Sequence, residues 1–106
     1  MRKAFLSRKL SQRQRMVGAP YHVEVLPSAV KDTRRFPKSV VVRIREHLVA
    51  LGGNPFPPGC EKMEGYDRYY KIRVGEYRVI YEVAKEIRVV SIIRIGHRSK
   101  VYLRRL

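Results

Sequence analysis

A chain of 106 residues with 24 Lys and Arg against 9 Asp and Glu, a formal +15, suits one small core and a field that gathers polyanions: phosphate backbones, anionic lipid or an acidic protein. A single cysteine, Cys60, excludes an intrachain disulfide and cysteine-built zinc sites, and fits a reducing cytoplasm. No apolar run approaches the roughly 18 residues that span a bilayer, and the segment around Ala4 to Leu6 is too short for a secretory core.

Residues 1–20 hold six of the cations and no acid, which leaves +9 on residues 21–106. Their composition is that of an organelle transit peptide or, with Met16 close to the first folded-looking residues, of an upstream start or a disordered basic arm; the second reading is preferred. The folded domain is expected over 21–106. Tyr21 to Leu26 alternates as a short strand. Pro27 and Ser28 open a helix that must end before Pro37, and Ser39 is expected to cap the next. In that second helix Val41, Ile44, Leu48 and Leu51 form an apolar stripe, Arg43, Arg45 and Glu46 face elsewhere, and Gly52-Gly53 supplies an end.

Pro55, Pro57 and Pro58 make the next segment an extended connection, too short to link domains. Three strands follow, over 69–74, 77–83 and 87–95, joined by the hairpin-length connections Gly75-Glu76 and Ala84-Lys85-Glu86. Gly75 at the first turn position suits a type II′ turn. The expected architecture is α+β: a small antiparallel sheet, built from the N-terminal strand and a C-terminal three-stranded meander, packed against two N-terminal helices.

A two-residue turn at Gly75-Glu76 pairs Arg73 with Arg78 and Lys71 with Ile80. Tyr70, Ile72, Val74, Tyr77, Val79 and Tyr81 then share the face that suits the helices, and Tyr69, Lys71, Arg73, Arg78, Ile80 and Glu82 share the other. Arginines directly opposite each other repel by up to about 1 kcal/mol, which points to a compensating anion unless solvent screens them. A sheet face with stacked cations and an aromatic can hold a phosphate and its neighbouring base, and His97, Arg98, Lys100 and Tyr102 follow the last strand to complete such a pocket. His22 and His47 have no ligand-spaced partners for a metal and read as surface residues, and Cys60 reads as a loop residue.

Three blocks resemble the RelE family of bacterial and archaeal toxin–antitoxin systems: 62–66 (KMEGY), 70–81 (YKIRVGEYRVIY), and 95–102, which runs from Ile95-Gly96-His97-Arg98 to Tyr102. With the strand-helix-helix start, the likeness covers about residues 21–104 in the RelE/ParE-like fold, which gyrase-poisoning ParE relatives share. The resemblance implies ribosome-dependent endonucleolytic cleavage of messenger RNA in the A site, without metal or cofactor. It also implies a cognate RelB-like antitoxin and an operator-binding complex of the two.

Attack by a ribose 2′-hydroxyl needs a proton acceptor, positive charge for the phosphorane and an acid for the departing 5′-oxygen, all of which basic residues can supply. By resemblance Arg78 is the transition-state arginine, Arg98 lies near the leaving group, Tyr102 positions substrate and Lys71 is a hairpin lysine. Arg73 stands where some members carry a second lysine. Because a guanidinium does not serve as a base, Arg73 is assigned to phosphate binding, with Tyr69 and Lys100 as further RNA contacts. Lys71 and His97 remain the candidate proton acceptors, imidazole because it ordinarily titrates near neutrality. The alternative function is ParE-like inhibition of DNA gyrase without chemistry, and a third is a nucleic-acid-binding module that performs none.

Overall fold

The computed structural model describes residues 21–98, so the expectations placed on residues 1–20, Lys100 and Tyr102 lie outside the described residues. Strand β1 (His22–Val25) buries Val23 and Val25 and leaves His22 exposed. Leu26 ends it in an extended conformation, as a residue before proline must, and Pro27 opens helix α1 (Pro27–Asp32), where its fixed φ is already helical. Helix α2 (Lys38–Gly53) begins two residues earlier than a Ser39 cap would allow. Pro37 takes the cap position, its carbonyl accepts from the amides of Val40 and Val41, and Ser39 falls inside the first turn. The stripe Val41, Ile44, Leu48 and Leu51 is buried as expected, and Arg43, Arg45 and Glu46 are exposed.

The proline-rich connection is tied down at both ends of its turn. The Asn54 side chain accepts from the Phe56 amide at 3.0 Å, and the buried Tyr81 hydroxyl donates to the Pro55 carbonyl at 2.8 Å. Burial, and secondarily the Cys60 thiol beside it, pushes the Tyr81 hydroxyl above the ordinary phenol range. Cys60 itself packs half-buried against the core.

Strands β2 (Glu61–Lys62), β3 (Tyr69–Val74), β4 (Tyr77–Ala84) and β5 (Val89–His97) complete a five-stranded sheet ordered β1-β5-β4-β3-β2. The α+β architecture stands, with two corrections to the sheet. It is mixed rather than antiparallel, because β1 pairs parallel with β5. Two helices and the meander separate those strands in sequence, and a connection that long permits the parallel sense. The two-residue β2, too short to show alternation, pairs with β3 at the far edge. The β3–β4 register is the expected one throughout, with Gly75 at φ +62° in the turn. The second connection runs to four residues, because Arg88 adopts φ +54° and Ile87 lies 68 % exposed in the turn instead of in the strand.

One irregularity in β5 decides what faces where. Ile80 pairs with Arg94 but Tyr81 pairs with Ile92, so Ile93 is an inserted bulge residue. Ile92 and Ile95, three apart, therefore both join the core, whereas Arg94 turns to the face of Ile80. Beyond its four pairs with β1, the free edge of β5 is covered by the start of the helical region. The Leu26 amide bonds the Ile92 carbonyl at 3.0 Å, Ser28 Oγ donates to the Ile93 carbonyl at 2.7 Å, and the Ile95 amide donates to Asp32 Oδ2 at 2.9 Å. Both helices contribute to one core with one face of the sheet, through Ala29, Ile44, Leu48 and Leu51. Among the described residues no helix is long and apolar enough to cross a membrane.

Candidate active site

The opposite face of the sheet carries the expected cations. Pleat alternation along β3 sets Tyr69, Lys71 and Arg73 in a row, and the cross-strand register sets Glu82, Ile80 and Arg78 beside them. Toward the hairpin turn, Arg73 is exposed and directly opposite Arg78. Arg78 is half-buried, and its Nη1 is shielded from solvent with no hydrogen-bond partner among the described residues. A shielded guanidinium nitrogen without an acceptor, facing a second arginine, is an arrangement that an anion completes, since each such donor left bare costs about 1–3 kcal/mol. The partner of Arg78 in β5 is Gly96, which carries no side chain.

Around this pair the cations are held by carboxylates. Lys71 Nζ lies 3.5 Å from Glu61 Oε1, across the β2–β3 pairing. Arg98 is fixed twice by the hairpin turn: its amide donates to the Glu76 carbonyl at 2.9 Å and its Nε to Glu76 Oε1 at 3.0 Å. Arg94 makes a bidentate pair with Asp32, Nε to Oδ2 at 2.9 Å and Nη2 to Oδ1 at 3.1 Å, and that hydrogen bond holds its proton more tightly than in a free guanidinium. Tyr69 stacks on Tyr66 with ring centroids 5.5 Å apart and planes 21° from parallel, and Arg68 bonds Glu82 at 2.9 Å nearby.

The structure thus brings Lys71, Arg73 and Arg78 onto one face, with Arg98 at the same end and Tyr69 at the other end of the row. It does not bring His97 to that face. The bulge at Ile93 reverses the alternation that follows, so His97 pairs with Tyr77 on the helix side, where the two rings meet edge-on at 5.8 Å. Arg94, Glu76, Glu61 and Asp32 were not legible as site neighbours. Arg94 needs the bulge to be placed, and the others act through pairings made in three dimensions. Arg43 of α2 also reaches this end, its Nη1 3.5 Å from where a Cβ on Gly75 would lie. Among the described residues no three His, Cys, Asp or Glu side chains gather as metal ligands.

Known proteins are similar to this chain in sequence and in fold. The family model for the ParE toxin of type II toxin–antitoxin systems, parDE, matches residues 23–102. Toxin RelE of Mycobacterium tuberculosis is 31 % identical over 84 residues, spanning 78 % of this chain and 87 % of that one. RelE in the archaeal RelE–RelB complex of Pyrococcus horikoshii superposes with a TM-score of 0.68 at 30 % identity, over 77 % of this chain and 99 % of that one. The isolated Escherichia coli RelE toxin gives a TM-score of 0.64 at 28 % identity, over 73 % of this chain and 83 % of that one. The family-model match over residues 23–102, with these likenesses in sequence and in fold, places the chain in the RelE/ParE family of type II toxin–antitoxin toxins.

Proposed function

We propose that the chain is a cytoplasmic endoribonuclease toxin that cuts messenger RNA in the ribosomal A site by 2′-hydroxyl attack, without a metal or cofactor. The observation that carries this reading is the shielded Nη1 of Arg78, without a hydrogen-bond partner among the described residues, opposite Arg73. A phosphate seated there would accept from both guanidinium groups, and their charge would stabilise the developing phosphorane more than the ground-state diester. Lys71 shares this face and His97 does not, so the neutral amine of Lys71, parted from Glu61, accepts the proton of the attacking 2′-hydroxyl. Arg98, released from Glu76 by the RNA, serves the departing 5′-oxygen. Tyr69 stacks on a neighbouring base, and Lys100 and Tyr102 take the RNA contacts that the resemblance implies for them.

The relative from Pyrococcus horikoshii is a complex with RelB. A RelB-like antitoxin is accordingly the proposed partner of this chain, covering the same basic surface, with operator binding as a property of that complex. Primer-extension mapping of a reporter messenger RNA in an active translation extract tests the reading. Cuts within translated codons are expected from the parent, and none from Arg78→Ala or Arg98→Ala. Translation without cuts by the parent would overturn it. Because the matching family model is that of ParE, a supercoiling assay with DNA gyrase then tests the second reading, a gyrase inhibitor without chemistry.

A further inference from the structure

At the end of the sheet face away from the hairpin turn, two tyrosine rings stand beside a bonded carboxylate and guanidinium. The chain between β2 and β3 places them. Gly65 folds it back at φ +83°. Three backbone bonds close it: the Tyr66 amide to the Met63 carbonyl at 3.2 Å, the Tyr69 amide to the Tyr66 carbonyl at 3.4 Å, and the Met63 amide to the Tyr69 carbonyl at 2.8 Å. The rings of Tyr66 and Tyr69 are thereby stacked, and Tyr66 is 43 % exposed. Tyr69 is directly opposite Glu82 in the β3–β4 register. The Arg68 carbonyl accepts from the Val83 amide at 3.0 Å, and the Arg68 side chain donates to Glu82 Oε2 at 2.9 Å. None of these four side chains is buried, so the stacked rings face outward with a donor and an acceptor at their edge.

The strand fixes how far this cluster lies from the anion site. Tyr69 and Arg73 are four residues apart on β3 with Lys71 between them, about 13 Å at the rise of a strand. The roles given to these residues also set a direction. The 2′-hydroxyl that Lys71 deprotonates belongs to the nucleotide on the 5′ side of the scissile phosphate, and the 5′-oxygen that Arg98 serves belongs to the one on its 3′ side. Arg98 is held at the hairpin turn, so an RNA on this face runs 5′ to 3′ from Tyr69 toward Arg98. The distance from Arg73 back to Tyr69 accommodates the nucleotide that supplies the hydroxyl and brings the base before it to the tyrosines.

We propose that Tyr66, Tyr69, Arg68 and Glu82 form a base-reading subsite that selects guanine at the second nucleotide on the 5′ side of the cleaved bond. The proposal rests on the ribonuclease reading above. The tyrosine rings supply affinity without choice, because every base has a face that stacks. Glu82 supplies the choice. Its carboxylate only accepts, and each oxygen has room for a second bond, so the contact with Arg68 leaves both available. Guanine offers two adjacent donors, N1–H and N2–H, to the two oxygens, with O6 beside them to accept from Arg68. Adenine and cytosine offer one amino donor next to a ring-nitrogen lone pair, and uracil flanks its single N–H with two carbonyls. Each of those three sets a lone pair against the carboxylate, a repulsion that excludes the wrong base as firmly as the bonds favour the right one.

The test is equilibrium binding, by the full chain, of fluorescent oligouridine hexamers whose third base is guanine, adenine, cytosine or uracil. All four carry the same charge, so a preference among them is not a salt effect. The parent is expected to bind the guanine hexamer about tenfold more tightly than the others. Glu82→Gln, which keeps the size of the side chain, should bring the guanine hexamer to within about twofold of the uracil one. Tyr66→Ala, at an exposed position, should weaken binding of all four by about fivefold or more. Equal binding of the four hexamers by the parent would overturn the proposal, as would a guanine preference that survives in Glu82→Gln or parental affinity in Tyr66→Ala. Mapped cuts in a translation extract supply the register: guanine should be enriched at the second nucleotide upstream of cuts by the parent, and absence of that enrichment would overturn the placement. Arg78→Ala is expected to abolish the cuts yet keep the guanine preference among hexamers. A parent that makes no cuts but prefers guanine through Glu82 would overturn the nuclease reading and leave the guanine site standing, whereas cuts without a guanine preference would overturn this site alone.

Discussion

Asp32 closes the edge of β5, and removing it measures how much that closure contributes. Its carboxylate makes two charge-assisted bonds to Arg94 and one to the Ile95 amide, with the two side chains 28 % (Arg94) and 17 % (Asp32) exposed. Breaking a fully buried pair costs about 3–5 kcal/mol, and the residual exposure of this one lowers that, so Asp32→Ala should destabilise by about 2–4 kcal/mol. For a domain of this size that is a fall in Tm of roughly 10–25 °C. Asp32→Asn keeps an acceptor for the Ile95 amide and loses the charge, so it should cost about half as much. The carboxylate accepts the Arg94 hydrogen bonds directly, so a cycle with Arg94→Ala should return a coupling of at least about 1 kcal/mol. Urea and thermal unfolding of the four proteins supply the values. A change within about 0.5 kcal/mol for Asp32→Ala, the range of ordinary surface substitutions, would refute the reasoning that the pair and the covered edge stabilise the sheet.

The Tyr81 hydroxyl has a raised pKa in the folded state, so its contribution is fully present below the unfolded value of about 10 and is lost as pH rises past it. Tyr81→Phe should lower stability at neutral pH by about 1–2 kcal/mol through the lost bond to Pro55, and should flatten the decline seen above pH about 10 in unfolding curves. Glu76→Gln frees Arg98 from an exposed pair, 58 % and 65 % accessible, whose value is at most about 1 kcal/mol. It should therefore leave Tm almost unchanged while raising cleavage at limiting ribosome concentration up to about fivefold; slower cleavage would show that Glu76 orients Arg98 and does not compete for it. His97→Gln should cleave at close to the parental rate, because His97 lies with Tyr77 on the helix side. A loss of a hundredfold or so, the scale of a removed general acid or base, would return the proton-transfer role to it.

Most of the hairpin was legible in the sequence because one turn fixes everything around it. Once Gly75 and Glu76 are taken as a two-residue turn, the pairing of Arg73 with Arg78 and the separation of faces follow from a period of two. The helix stripe at Val41, Ile44, Leu48 and Leu51 was legible for the same reason, as a period set by local geometry. What escaped was whatever breaks a period or depends on distant partners. The bulge at Ile93 leaves no mark in an apolar run such as 92–93, yet it turns Arg94 onto the cationic face and His97 off it. The parallel sense of β1 depends on where the helices return the chain, and β2 is too short to alternate.

The bulge also links stability to the site. It brings Ile95 into the core, and the same Asp32 that holds Arg94 accepts the Ile95 amide. The next residue, Gly96, is the strand partner of Arg78, whose Nη1 has no hydrogen-bond partner among the described residues. The half-buried position of Arg78 depends on β5 staying paired through this stretch, so the edge contacts of α1 support the anion site without touching it. On this reasoning Asp32→Asn, although far milder than Asp32→Ala in its effect on folding, should still lower cleavage by Arg78 at temperatures where the protein is fully folded. Full parental activity in a folded Asp32→Asn protein would separate the edge from the site and confine Asp32 to stability alone.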